Sequence, residues 1–467
     1  MREVTQYRAM ISRRNLMTLP AAGLCAAAQG GKARPHLVLF VADDHGYLDS
    51  PMYGSRVVRT PHLRQLASEG VTMTGAFCGT PTCVPSRAVL MSGLHSARNG
   101  AEANHTQMRA SVKTLPTYLK SLGYRTAHFG KSHFQPASSY PDMEFVKSEI
   151  LRGPLNNDLD PSVLEQWLAA RQGQDPLCLI VGCHSPHVYW MDNEGYDPAR
   201  VELPPTLIDT PETRAERVKY YTEITKADRQ LGEVRASVRR HLGGNTLFVY
   251  TADNGAQWPF AKWNLYDAGI RLPFLASWPG RIRPGTRSDA LFSFTDVLPA
   301  FVEAAGGQAP EGLDGRPVLA ALTGAAKGHR SEVYATHSGD GNMNVYPMRC
   351  VRTERYKYIL NLHPEFEFGT HIERAGPRDG RVYWESWVAK AKQDPAAAAL
   401  IRRYQIRPRE ELYDVREDPH EVRNLAGDSR FKTTLADLRA RVERWMREQG
   451  DEQKVYGKPR LHAEATP

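Results

Sequence analysis

The chain has no long hydrophobic run. None of its later stretches reaches the ~18 consecutive apolar residues of a membrane-spanning helix, so no transmembrane segment is expected. Cysteine is sparse: Cys25, Cys78, Cys83, Cys178, Cys183 and Cys350 are the six among 467 residues. Their spacing builds neither a disulfide framework nor a zinc site. No basic run carries interleaved aromatics, which leaves out the usual nucleic-acid footprint. His184 and His187 flank Pro186, which disfavours a helical zinc pair, and no Glu follows at metalloprotease spacing. Charge of one sign is also modest. The formal net charge is +8, and Arg2, Arg8, Arg13 and Arg14 against Glu3 supply +3 of it within the first 28 residues. The remaining +5 suits an anionic substrate and says nothing about fold.

What is present describes a globular chain. With 41% hydrophobic and 24% charged residues, 467 positions can bury a large core, and the length alone suggests two or three domains. Ser12-Arg13-Arg14-Asn15-Leu16-Met17 resembles a twin-arginine motif. A short apolar segment runs to Ala28, and Ala26-Ala27-Ala28 offers a small-residue cleavage site. Residues 1–28 therefore read as an export signal, and the mature protein is expected to be periplasmic or secreted. A disordered basic tail is the alternative reading.

Four apolar runs end in polar clusters. His36–Ala42 leads into Asp43-Asp44-His45-Gly46. Thr126–Phe129 leads into Gly130-Lys131-Ser132-His133. Leu177–Gly182 leads toward His184-Ser185-Pro186-His187. Thr246–Tyr250 leads into Thr251-Ala252-Asp253-Asn254-Gly255. Short runs of this kind read as strands buried on both faces of a parallel sheet. Helix-like stretches, Pro61–Glu69 and Pro211–His241, lie between them. The alternation predicts an α/β sandwich, whose ligands bind beyond the carboxyl ends of the strands. Each cluster alone also reads as a turn. Together, Asp43, Asp44, Asp253 and Asn254 offer hard oxygen ligands suited to Ca²⁺ or Mg²⁺.

The run from Cys83 to Gly93, Cys-Val-Pro-Ser-Arg-Ala-Val-Leu-Met-Ser-Gly, adds a helix start. Pro85 suits a first turn, where its missing N–H costs nothing. Cys83 would then sit where backbone N–H groups and the dipole favour an anion. Arg87 adds a guanidinium fork suited to oxyanions. A buried structural cysteine is the bland alternative. Toward the C-terminus, a strand pair is expected around Thr353-Glu354-Arg355. The Leu435, Leu438, Val442, Trp445 stripe predicts a helix with one packed face.

The Cys-x-Pro-Ser-Arg run closely resembles the maturation and active-site motif of type I sulfatases, of the alkaline phosphatase superfamily. The other clusters match further blocks of that family, from about Arg34 to Arg430. The resemblance implies a large, mostly parallel mixed sheet sandwiched by helices in a catalytic domain at residues 31–330. It also implies a smaller α+β domain with an antiparallel sheet at residues 331–467. Cys83 would be converted to formylglycine by a formylglycine-generating or radical-type maturation enzyme. Asp43, Asp44, Asp253 and Asn254 would hold Ca²⁺, with Mg²⁺ possible. Arg87, Lys131 and Lys262 would neutralise the sulfuryl group, His187 would protonate the leaving atom, and His133 would assist release. Ser132 departs from the commoner Trp of its block. Trp258 to Tyr266, Tyr346 to Arg349, and Glu411 to Ala426 resemble the N-sulfoglucosamine sulfohydrolase branch. The implied substrate is a sulfated carbohydrate, favouring an N-sulfoglucosamine-type glycan. O-sulfatase action on another, for instance algal, polysaccharide stays open. So do phosphonate or phosphodiester hydrolysis and plain sulfoglycan binding. His337, Asp340 and Arg349 are further candidate pocket residues.

Overall fold

The computed structural model describes residues 34–134, 136–146, 158–173 and 175–462. The export-signal reading of residues 1–28 falls outside them. Strand β1 is His36–Ala42, followed by β2 Val71–Met73, β3 Ala76–Phe77, β4 Arg125–Gly130, β5 Met143–Phe145, β6 Leu177–Gly182 and β7 Thr246–Ala252. Then come β8 Phe274–Ser277, β9 Thr286–Ser288, β10 Phe292–Ser293, β11 Glu332–His337, β12 Met348–Thr353, β13 Tyr356–Asn361 and β14 Glu410–Asp414.

Eight strands form the main sheet, in the order β5-β4-β6-β1-β7-β8-β2-β9. The pairings of β4, β5, β6, β1 and β7 are parallel, and β8 runs antiparallel to both β7 and β2. The mostly parallel α/β sheet expected from the apolar runs is therefore present. Leu37 to Ala42, and every residue of β6 and β7, are buried. A fully buried aliphatic or Phe side chain contributes roughly 1.5–3 kcal/mol, so these central strands are the main source of sheet stability.

Register decides what the sheet presents. Ala42 lies opposite Ala252, Val41 opposite Gly182, and Gly182 opposite Gly130. The carboxyl ends of β4, β6, β1 and β7 are thus level, and the four polar clusters emerge side by side. Close approach requires glycine here. A Cβ on Gly182 would stand 1.8 Å from the Lys131 carbonyl oxygen, and Gly130 has φ +87°.

Helices behave as their sequences suggest. Pro61–Glu69 begins with Pro at its first position and stops at Gly70. The long helix runs Pro211–Leu242, and the Thr210 side chain accepts from the Thr213 N–H. The C-terminal sheet has the order β11-β12-β13-β14, all antiparallel. The helix Lys432–Gln449 buries Leu435, Leu438, Val442 and Trp445 in a cluster with Val351, Tyr358 and Leu412 of that sheet. Cys78, Cys83, Cys178, Cys183 and Cys350 are all buried and free.

Asp296 fastens the approach to this second sheet. It accepts from Arg330 Nε at 2.6 Å, from the Arg316 N–H at 2.9 Å and from the Ser293 N–H at 3.0 Å. Burial opposes its charge, but Arg330 and His329 outweigh burial and hold its carboxyl at about 2. A carboxyl depressed from 3.8 contributes roughly 2 kcal/mol at neutral pH. That stability is complete above pH 4 and is lost as pH falls toward 2. In urea unfolding, Asp296→Asn should cost roughly 2 kcal/mol at pH 7. The gap to the parent should close as pH falls through that window.

Candidate active site

Cys83 opens the helix Cys83–Ser92, all ten residues of which are buried, with Thr82 at the N-cap position. Its Sγ stands 3.3 Å from Asp43 Oδ1. Asp43 and Asp44 follow β1, and Asp253 and Asn254 follow β7. All four side chains are fully buried. Three carboxylates without water demand cations, and three cationic side chains converge on them. Arg87, one turn after Cys83, donates from Nε to Asp253 Oδ2 at 2.9 Å, and its Nη2 lies 3.6 Å from Asp43 Oδ2. Lys131 pairs with Asp43 Oδ2. Lys262 Nζ reaches Asp44 Oδ2 at 2.7 Å.

His187 completes the ring, with Nε2 3.7 Å from Asp44 Oδ2 and Nδ1 2.6 Å from the Val188 carbonyl. That second contact makes Nδ1 the protonated nitrogen and leaves Nε2 facing the carboxylate. Backbone groups help: the N–H groups of Asp44 and Asn254 both donate to Asp253 Oδ1, at 3.2 and 2.9 Å.

Charge states follow from this packing. Burial alone would raise Asp43, but Lys131, His187, Arg87 and Lys262 overcome it and hold the carboxyl well below the usual range. Burial and the neighbouring carboxylates push Asp44 up to about 7 despite Lys262. Burial, joined by the charge of Asp43, also raises Asp253. Burial lowers His187 well below an ordinary imidazole, and Lys131 and Lys262 lower it further. His133 is lowered to about 3 by burial and then by Lys131. Burial, with Asp43 adding to it, raises the Cys83 thiol well above its usual value. An unmodified Cys83 is thus a poor thiolate nucleophile.

The residues fit a divalent ion. Ligand atoms of Asp43, Asp44, Cys83 and His187 all lie within 4.8 Å of one another. Asn254 Oδ1 is buried and makes no hydrogen bond, an amide oxygen held ready for a hard cation.

Above these groups opens a cleft of about 820 Å³, lined by Cys83, Lys131, His133, His187 and Lys262, with Ser132 in its wall. Arg87 and the strand-end residues Asp43, Asp44, Asp253 and Asn254 are fully buried against these groups. All ten residues expected from the sequence therefore gather in one place. Of the three further pocket candidates, Asp340 lines the cleft. His337 and Arg349 do not. His337 Nε2 bonds Asn344 Oδ1, and Arg349 forms a buried ion pair with Asp451, a residue distant in sequence. Asn104, His105, Gln257, His371 and Asp379 also line the cleft. They sit at or near loops whose pattern carries no periodicity, so the sequence offered no signal for them.

A mostly parallel sheet with carboxylates, lysines and histidines at its strand ends is an alkaline phosphatase-like architecture. The comparisons narrow this further. The Sulfatase family model matches residues 35–307, and the chain belongs to that family. It is a hydrolase of the sulfuric ester hydrolase and sulfamidase class. A second match, to N-sulphoglucosamine sulphohydrolase, C-terminal, covers residues 255–369. An ulvan-active sulfatase of Formosa agariphila is 32% identical over 433 residues, covering 90% of this chain and 81% of the relative. The human N-sulphoglucosamine sulphohydrolase is 29% identical over 480 residues, covering 92% of each. Among solved structures, the phosphonate monoester hydrolase of Agrobacterium radiobacter superposes with a TM-score of 0.69 at 17% identity. It covers 89% of this chain and 96% of its own. BT4656 in complex with its substrate D-glucosamine-2-N,6-O-disulfate superposes at 0.67 and 17%, covering 90% and 99%. At these identities the two structures speak for the fold. Among the described residues, no helix is long and apolar enough to cross a membrane.

An ion in this site binds the folded chain alone, so it should stabilise by mass action, by about 2.7 kcal/mol at a hundredfold excess over its Kd. Treatment with EDTA should lower the thermal midpoint, and Ca²⁺ or Mg²⁺ should restore it. Asn254→Leu should abolish the restoration. A midpoint indifferent to every divalent ion would remove the metal site.

Proposed function

We propose that this sulfatase releases sulfate from a sulfated glycan, favouring an N-sulfoglucosamine-type unit, by means of a formylglycine made from Cys83 and a bound Ca²⁺ ion. The single observation that carries the reading is the placement of Cys83. It stands at the N-terminus of a buried helix, 3.3 Å from Asp43, with Arg87, Lys131, His187 and Lys262 around it. The match over residues 255–369 and the similarity to the human sulphohydrolase favour the N-sulfo substrate. Ca²⁺ is preferred over Mg²⁺ because a set of carboxylate and amide oxygens with no rigid octahedral demand suits the larger ion.

Formylglycine, when formed, supplies a hydrated aldehyde whose hydroxyl is nucleophilic toward sulfur, and the ion supplies Lewis-acid polarisation. The chain's own groups do the rest. Asp43, Asp44, Asp253 and Asn254 would hold the ion. Lys131 and Lys262 sit at the cleft wall, where their charge offsets that gathering on the sulfuryl oxygens, with Arg87 reinforcing from below. His187 Nε2 is placed to hand a proton to the leaving oxygen or nitrogen. Its pKa is low in the free enzyme, and the negative charge of a bound sulfate would raise it toward the working range. His133, which also lines the cleft, would assist release of sulfate.

The same reading assigns residues 31–330 to catalysis and 331–467 to a smaller domain. It has residues 1–28 direct twin-arginine export to the periplasm or beyond. A maturation enzyme for Cys83 is the required partner.

The deciding experiment is sulfate release by the chain co-produced with a maturation enzyme. The substrates would be N-sulfoglucosamine, O-sulfated glucosamine and ulvan-type oligosaccharides. Release from N-sulfoglucosamine is expected, with Cys83→Ala inactive yet as stable as the parent. Release from O-sulfated sugars alone would overturn the substrate assignment. His187→Ala should lower kcat by 10²–10⁴-fold, the usual contribution of a general acid. The loss should be least for aryl sulfates, whose leaving groups need no proton. An equal loss for all leaving groups would remove His187 from the acid role.

A further inference from the structure

The segment carrying Lys262 is held from the C-terminal third at one residue after another. Trp263 Nε1 donates to Asp340 Oδ2 at 2.7 Å. Asn264 Oδ1 accepts from Arg407 Nη2 at 2.6 Å. The Leu265 carbonyl accepts from Lys357 Nζ at 3.0 Å. Tyr266 Oη donates to Glu411 Oε2 at 2.7 Å, and Asp267 pairs with Lys357 and Arg352. Of the C-terminal partners in this series, Asp340 is the one that also lines the catalytic cleft.

Asp340 reaches the nucleophile as well. Its Oδ2 accepts from Asn104 Nδ2 at 3.0 Å, and Asn104 Oδ1 accepts from the Val84 N–H at 3.3 Å. Val84 follows Cys83 directly. Trp263 meanwhile donates its backbone N–H to the Pro81 carbonyl at 3.0 Å, and its neighbour Lys262 holds Asp44. A single carboxylate oxygen thus joins the start of the Cys83 helix to the Lys262 segment. Trp263 has φ +65°, a left-handed conformation that a bulky residue keeps only when its surroundings over-determine it. His105 Nε2 and His371 Nδ1 face the same carboxylate at 3.6 and 3.9 Å, and His371 stacks on Trp263 with centroids 5.3 Å apart.

We propose that Asp340 is a positioning residue. Through Asn104 and Trp263 it fixes the distance between residue 83 and Lys262, so the C-terminal third sets the rate of the sulfuryl step. This rests on the reading of Cys83 as the precursor of the nucleophile. Two N–H donors converge on one buried carboxylate oxygen, the setting for charge-assisted bonds. Truncating the acceptor takes away the partner of the Trp263 indole N–H and leaves Asn104 Nδ2 with His105 Nε2 at 3.3 Å. The loop itself has independent backbone anchors. The Asn104 N–H donates to the Gly339 carbonyl at 2.9 Å, and the Asp340 N–H to the Asn344 carbonyl at 2.7 Å.

The test compares Asp340→Ala with Asp340→Asn in the full chain, each with its formylglycine content confirmed. Asparagine keeps an oxygen able to accept both donors. Alanine should lower kcat about 10- to 100-fold, the usual cost of bonds to a charged group, with KM changed less than about threefold. Asparagine should recover most of that loss. A second readout needs no turnover. In protein labelled with ¹⁵N-tryptophan, the Trp263 indole resonance, assigned by its absence in Trp263→Phe, should move in the alanine variant and hold in the asparagine variant. If Asp340→Ala fails to fold, Trp263→Phe removes the same contact from the other side and should lower kcat about tenfold. An effect on KM alone, equal loss in both Asp340 variants, an unmoved indole signal, or full kcat in Trp263→Phe would each overturn the proposal. If the parent releases no sulfate at all, the proposed function fails instead, and the indole signal still reports whether the Asp340 contact exists.

Discussion

Buried charge is the constraint on which the rest of this structure depends. Asp43, Asp44 and Asp253 have no exposure to water, and an unpaired carboxylate in such a place is very costly. Arg87, Lys131 and Lys262 are brought to them from three separate parts of the chain. Removing one member of a buried pair costs far more than the pair contributes. The elements that deliver these side chains are therefore tied to one another through the site. The level carboxyl ends of β1, β4, β6 and β7, and the glycines that let β4 and β6 close up, exist in step with that requirement.

The same principle extends outward. Asp267, Glu421, Arg352 and Lys357 form a second buried charge cluster between the main sheet and β12–β14. Asp296 with Arg330 makes a third link. The chain from Arg34 onward forms a single compact unit, in which these ion pairs sit beside an apolar core that Val333, Ala335, Met348 and Cys350 share with the main sheet. The Lys262 segment is then placed by the second sheet as much as by the first. The buried ion pairs contribute geometry more than stability, because desolvation offsets much of the Coulomb gain.

Much of this was legible in the amino-acid order. The runs before Asp43 and Asp253 are largely apolar without alternation, which marks strands buried on both faces, and the structure places β1 and β7 there. The shorter run before Lys131, with Thr126 and His128 beside Ala127 and Phe129, became β4. Pro61 and Gly70 bracket one helix as start and stop signals. The Cys83 stretch and its Pro85 read as a helix start and became one. Where the sequence was silent, the residue types were common and their spacing irregular. Asn104 enters the cleft from a loop, His371 from the start of a four-residue helix and Asp379 from the end of a 3-10 turn. Arg349 looked available for the pocket, but a carboxylate distant in the sequence, Asp451, takes it. Nothing local to either residue announces that pairing.

The sequence by itself determined an inventory: which runs become strands, which polar groups end them, and which cysteine stands at a helix N-terminus. These properties depend on neighbours within a turn or a few strand positions. Tertiary structure alone decided which of those groups share a cleft and what charge each carries there. Asp43 and Asp44 are adjacent in sequence, yet one carboxyl is held far below the usual range and the other rises to about 7. The difference arises because burial at Asp43 is outweighed by Lys131, His187, Arg87 and Lys262 together, whereas burial and two carboxylates outweigh Lys262 at Asp44. Electrostatic energy depends on distance and burial in three dimensions, and sequence adjacency fixes neither.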